Sequence, residues 1–208
     1  MEKTRMKRFL FFSIPIIISL LSAEAGSDQE WASLKEAAKN IRSVKSEFLQ
    51  KRILPILTKP LRSEGRVFFQ TPGSLRWEYL NPLRSVMLQK GDTIRLYHFS
   101  EGEWKPEMTQ AVEVRRMVIA EISRWFQGRF DESKIFKNLY VPGPPVRILL
   151  TPKEGVDKFI RRIEIFPGTR PGVIERVEIE EPGGSRTSIE FRKTEINPNL
   201  PSEIFEKP

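Results

Sequence analysis

Gly65-Arg-Val-Phe-Phe-Gln-Thr-Pro-Gly-Ser-Leu-Arg-Trp-Glu-Tyr79 reads as two strands folded back on each other, with Thr71-Pro-Gly73 as the turn between them. A connection this short forces antiparallel pairing, because a parallel crossover needs a dozen or more residues. The stretch concentrates Phe68, Phe69, Trp77 and Tyr79 yet contains no histidine, cysteine or aspartate. Large rings without catalytic partners describe a packing or binding surface, and side-chain alternation along a strand puts Arg76 and Trp77 on opposite faces.

The same pattern continues outward in both directions. Short runs rich in branched and aromatic residues are expected as strands at about 47–54, 62–70, 74–80, 84–90, 93–99, 103–107, 134–140, 145–151, 158–166, 172–181 and 186–194. Asn81-Pro82, Gly91-Asp92, Pro167-Gly168 and Pro182-Gly-Gly184 punctuate them. Two helices interrupt the series. Trp31, Leu34, Ala38, Ile41, Val44 and Phe48 recur at three- and four-residue intervals behind Ser27-Asp-Gln-Glu30, a capping box. The second helix, at about 110–127, carries Val112, Met117, Ile119, Ile122, Trp125 and Phe126 and ends at Gly128. The tail from Asn197 leads into one helical turn with Pro201 at its first position. The fold class is therefore α+β: a single large antiparallel sheet, able to curl into a barrel or half-barrel with an apolar concave side.

Ahead of this domain, Lys3, Arg5, Lys7 and Arg8 precede an apolar run from Leu10 to Leu21, and Ala23-Glu-Ala25 follows. These are the three regions of a secretory signal peptide, expected over 1–25 and cleaved after Ala25, with one mature domain over 26–208. The run is short of the ~20 apolar residues that span a bilayer. The chain has no cysteine, so no disulfide, thiol nucleophile or thioether-linked lipid is expected. The net charge of +8 becomes +6 without residues 1–25. Bases alternate with acids, as in Phe159-Ile-Arg-Arg-Ile-Glu-Ile165, which describes a wet sheet face; attraction to an anionic membrane surface or an acidic partner is the second reading, and nucleic acid is not expected.

Enzyme chemistry finds little support. His98 is the single histidine, no G-x-S-x-G elbow exists, and the four aspartates at 28, 92, 131 and 157 are scattered. Gly183-Gly-Ser185 joins two strands with no helix behind it to bind a phosphate. A non-enzyme without cofactor or metal is expected.

The order of these pieces resembles the periplasmic outer-membrane lipoprotein carriers, the LolA family. The resemblance rests on Phe48-x-Gln50, the 65–79 hairpin, Pro82, Gly91-Asp92, Leu96-Tyr97, Leu149-Leu-Thr-Pro152, Phe159-Ile160, Ile189-Glu-Phe191, and Asn197 ahead of Leu200-Pro-x-x-x-Phe205. It implies an unclosed eleven-stranded half-barrel lidded by helices over a cavity for acyl chains. It also implies a soluble periplasmic monomer that receives lipoproteins from an inner-membrane ABC transporter and hands them to the outer membrane, often through an acceptor lipoprotein. On that basis Leu49, Phe69, Trp77, Tyr79, Val86, Leu88, Ile94 and Leu96 are expected to line the sheet, with Ile148, Leu150 and Ile163 in its later half. Met117, Val118, Ile122, Trp125 and Phe126 are expected to form the lid. One departure stands out. Well-studied carriers place an arginine, which bonds to the lid helices, before the proline of the second turn; here Thr71 precedes Pro72, and Arg76 is not put in its place. The chain also ends soon after Phe205, so no carboxy-terminal extension is expected. A carrier for another envelope amphiphile, glycolipid or phospholipid, and a lipid-sensing regulatory module are the alternatives.

Overall fold

The computed structural model describes residues 19–107, 111–170 and 172–208; most of the expected leader, and the first residue of the expected second helix, lie outside them. The first helix, α1, covers Ser19–Lys39. Five strands follow as a meander, β1 (Ser43–Ile53), β2 (Leu61–Gln70), β3 (Ser74–Asn81), β4 (Ser85–Lys90) and β5 (Thr93–Ser100), closed by the short β6 (Glu103–Pro106). After α2 (Ala111–Phe126) come β7 (Phe136–Val141), β8 (Arg147–Pro152), β9 (Arg162–Pro167), β10 (Ile174–Glu180) and β11 (Arg186–Ile196).

All eleven strands form one antiparallel sheet in the order β6-β5-β4-β3-β2-β1-β11-β10-β9-β8-β7. β1 and β11 meet in the centre, from Val44 opposite Ile196 to Ile53 opposite Arg186. The two free edges, β6 and β7, are consecutive in sequence, and α2 lies in the connection between them. The chain must therefore carry α2 from one lip of the open sheet to the other, which puts a helix over the gap by topology alone. Among the described residues no helix is long and apolar enough to cross a membrane.

The expected boundaries hold to within a few residues, with three corrections at the ends. Val44 and Phe48 belong to β1, not to the first helix. A spacing of four fits both a helix face and one face of a strand, so periodicity could not separate them. Ser27 lies inside α1 instead of capping it, because the helix-forming run Leu20, Leu21 and Ala23 carries the helix further upstream. Pro201 flanks the closing 3-10 turn, Ser202–Phe205, instead of occupying its first position.

The junction between α1 and β1 is held by a residue far away in sequence. Asn197 Oδ1 accepts from the backbone N–H groups of Arg42 and Ser43, at 2.7 and 3.3 Å, while its Nδ2 donates to the Asn40 carbonyl at 3.1 Å. Asn197 adopts φ 57°, a left-handed conformation that asparagine tolerates better than most residues. Ala38, fully buried in α1, packs on Gly172 in the β9–β10 turn, where φ is +79° and a Cβ would stand 2.9 Å from the Ala38 nitrogen. The α1 face is completed by Trp31, whose ring lies 5.5 Å from Tyr140 and 5.6 Å from Phe130.

Candidate functional site

Register decides which residues face the helices. Trp77 lies opposite Val67 on one side and Met87 on the other, and Met87 lies opposite Leu96. Val67, Trp77, Met87 and Leu96 therefore form one row, buried in the same cluster as Ile122, Trp125 and Phe126 of α2. Phe69 and Leu75 are paired on this face, and Phe48 and Phe191 meet beside them where β1 joins β11.

The rings form a connected chain. Tyr79 meets Phe48 edge-on at 5.3 Å, Phe48 stacks on Trp77 at 4.4 Å, and Trp77 meets the edge of Phe191 at 6.0 Å. Phe191 then meets Phe126 at 6.0 Å, and Phe126 stacks on Phe69 at 5.6 Å. Each such pair adds about 0.5–1.5 kcal/mol beyond its buried area. The polar atoms on this surface are few. Tyr79 Oη donates to Gln50 Oε1 at 2.9 Å, and Trp77 Nε1 is buried without a hydrogen-bond partner.

Most of the expected site residues converge here. Phe69, Trp77, Leu96, Ile122, Trp125, Phe126, Ile148, Leu150 and Ile163 are buried in the one cluster, and Tyr79, Ile94, Met117 and Val118 pack on it partly buried. Three do not. Leu49 points away from Phe48, in register with Glu64 and Glu190. Val86 and Leu88 alternate with Met87 and face the other side, level with Glu78 and Arg76. The concave face uses Phe48, Val67, Met87 and Phe191 instead, none of which the sequence reading assigned to it.

The convex face is not bare. Phe68, Leu200 and Phe205 form a second small cluster beneath the carboxy-terminal turn. Arg76 fixes that turn, donating from Nη1 to the carbonyls of Ile204 and Lys207 at 3.1 and 2.6 Å. Its Nε and that of Arg66 both donate to Glu78 Oε2, at 3.1 and 2.7 Å. Burial pushes the Glu78 carboxyl up, but the bonds from Arg76 and Arg66 outweigh it and hold the group below its ordinary range.

Beneath α2, the protein's own side chains occupy the interior. One crevice, bounded by Ile41, Val44, Phe126, Ile174 and Phe191, leaves no room for even a water-sized molecule. A second, between Trp77, Tyr79, Met87, Leu96 and Glu107, has a volume of about 20 Å³. Both fall below the about 300–1,000 Å³ usual for ligand pockets. The oily surface expected from the sequence is present; the open volume expected beneath it is taken up by aromatic rings.

Comparison with known proteins places this architecture. The profile of the family described as outer membrane lipoprotein carrier protein LolA matches residues 39–207. An outer-membrane lipoprotein carrier protein of Dechloromonas aromatica is 29% identical over 194 residues, covering 91% of this chain and 86% of that one. The carrier of Cupriavidus pinatubonensis is 28% identical, covering 87% and 82%. Among solved structures, a DUF1329 family protein from Desulfovibrio piger superposes with a TM-score of 0.50 at 12% identity, over 88% of this chain and 96% of that one. The Pseudomonas aeruginosa MucA/MucB complex gives the same score and identity over 88% of this chain and 61% of the matched one. At such identities the structural matches speak for the fold alone.

Proposed function

The chain belongs to the LolA family of outer-membrane lipoprotein carriers, and from that premise we propose that it carries lipoproteins across the periplasm with their acyl chains against the concave face of the sheet. Residues 1–25 act as the leader that exports it. The inner-membrane ABC transporter for lipoproteins loads it, and the outer membrane, through an acceptor lipoprotein, unloads it. No bond is made or broken, and no cofactor takes part.

The observation that carries this reading is the continuous aromatic and aliphatic surface from Tyr79 to Phe69, covered by a helix that packs on the sheet through its side chains and shares none of its strand pairing. Moving an acyl chain through water is the physical obstacle: at about 0.8 kcal/mol per methylene, one sixteen-carbon chain costs on the order of 12 kcal/mol to expose. A carrier lowers that barrier by offering oil. Because the rings fill the interior in this conformation, loading requires α2 to swing outward and the rings to part, so that acyl chains replace Phe126 and its neighbours on the sheet. Release is built into the same exchange. When cargo leaves, the rings close back on one another, and part of the free energy needed to expose the face is recovered.

Release of lipoproteins from spheroplasts into the soluble fraction tests the reading. Wild-type protein is expected to bring lipoproteins into solution, and Trp77→Glu, which plants a charge in the middle of the surface, to fail while remaining folded. Equal release by the folded variant refutes the site.

A further inference from the structure

The exposed large hydrophobic residues are not scattered. Of the eight among the described residues, seven (Ile53, Ile56, Leu57, Leu61, Leu80, Leu83 and Phe159) lie at one end of the sheet, and only Leu139 lies along an edge strand. Two hairpin tips hold six of them: the β1–β2 tip, Ile53-Leu-Pro-Ile-Leu-Thr-Lys-Pro-Leu61, and the β3–β4 tip, Leu80-Asn-Pro-Leu83. β2 is hydrogen-bonded to both β1 and β3, so the tips project side by side. Ile56 is 88% exposed and Leu83 80%. Side chains of this size held that far into water call for a partner.

Within the two tips themselves the charge is of one sign. From Ile53 to Arg62 and from Leu80 to Arg84 there are three bases, Lys59, Arg62 and Arg84, and no acid. This departs from the mixed-charge faces elsewhere on the sheet. Lys59 and Arg62 enter no ion pair among the described residues, and Arg84 lies over the rings of Phe99 and Trp104 at 4.3 and 5.3 Å, its charge likewise unneutralised by a carboxylate.

We infer that these two tips are a membrane-docking prong: Ile56, Leu57, Leu61 and Leu83 insert among the headgroups of an anionic bilayer, while Lys59, Arg62 and Arg84 contact its phosphates. The shape favours a bilayer over a protein. Separate aliphatic points on two turns present no groove and no flat face to a folded partner, whereas a fluid interface accommodates isolated points and rewards flanking bases. The placement also has a use. Tyr79 and Ser85, the last paired residues before the β3–β4 tip, line the second crevice of the concave face. Seating the tips on a membrane sets that crevice beside the acyl layer. This use rests on the carrier reading; the docking itself does not.

Vesicle flotation tests it with protein exported by its own amino-terminal segment, recovered from the periplasm and free of lipoprotein. The protein is expected to float with phosphatidylglycerol-containing vesicles and not with phosphatidylcholine alone, and to be displaced as salt rises. Ile56→Asp with Leu83→Asp is expected to abolish flotation. Lys59→Gln and Arg62→Gln are each expected to weaken it about fivefold. Absence of flotation on anionic vesicles, flotation equal on neutral ones, or crosslinking of the tips only to a protein partner overturns the proposal. If the aspartate pair perturbs the fold, the glutamine variants and the salt series decide it, since they leave the apolar tips intact. None of these failures bears on lipoprotein release, which is read separately in spheroplasts.

Discussion

The ring of Phe126 in α2 stacks on that of Phe69 in β2 at 5.6 Å with their planes 28° apart, so α2 is held to the sheet by one aromatic face upon another. Both rings are almost completely buried. Truncating either to alanine is expected to destabilise the protein by about 3–5 kcal/mol. The double variant should cost less than the sum, by about 0.5–1.5 kcal/mol, because the stacking term can be lost only once. Urea unfolding of the four proteins checks this; strict additivity would mean that the two rings do not support each other.

Gly65 carries the closest approach in the sheet. A Cβ there would stand 2.4 Å from Phe48 Cζ and 2.1 Å from the Glu78 carbonyl oxygen, so the Phe48 ring can stack on Trp77 only because residue 65 has no side chain. Gly65→Ala is expected to destabilise by about 1–3 kcal/mol, as overpacking does, and to disturb the near-ultraviolet circular dichroism of Trp77. Val67→Ala, which leaves a gap instead of a clash, should lower stability with a smaller change in that signal.

Strand order and hairpins were legible because turn signals recur between short alternating runs, and eleven such runs with two helices leave few arrangements. Face assignment was not. Val86-Met-Leu88 and Phe48-Leu49 are apolar at consecutive positions, because the carboxy-terminal turn and Arg76 cover part of the convex side, and a run buried on both sides has no parity. The sequence did hold a signal that resolves β4. A two-residue turn at Gly91-Asp92 pairs Lys90 with Thr93, and therefore Met87 with Leu96. With Leu96 inside, Met87 must be inside, and Val86 and Leu88 outside. The role of Arg76 depends on a tail more than 120 positions away, which no local pattern could reveal.

Anchoring of that tail should depend on pH in a defined sense. The folded-state pKa of Glu78 is depressed, so the stability it contributes is complete above the ordinary carboxylate value, about 4.3, and is lost as pH falls through the lower folded value. Glu78→Gln removes this dependence and leaves Arg76, which is mostly buried, without its counter-charge. The expected loss at neutral pH is up to about 3–5 kcal/mol, lessened because Arg66 is half exposed and regains water. Hydrogen exchange over residues 202–207 in wild type should accelerate below pH 4, and in the variant be fast throughout.

Glu121 in α2 should behave in the opposite way. It is 2% exposed, Oε1 accepts from Arg124 Nη1 at 2.6 Å, and Oε2 has no hydrogen-bond partner. Burial raises its carboxyl above the ordinary range, and the nearby charges of Arg124 and Lys153 offset only part of that. An acid raised in the folded state binds its proton more readily there, so it costs stability above its folded pKa and the cost disappears as pH falls towards the unfolded value. Glu121→Gln keeps the acceptor for Arg124 and removes the buried charge. It is expected to stabilise the protein by on the order of 1 kcal/mol at pH 7–8, with the gain vanishing below about pH 4. Thermal unfolding of the two proteins across pH 3–8 checks the sign; a variant less stable than wild type at pH 8 would mean that the ion pair with Arg124 outweighs the burial of the carboxylate. Because α2 is the proposed lid, the same substitution should also lower lipoprotein release from spheroplasts, through a cover that opens less often.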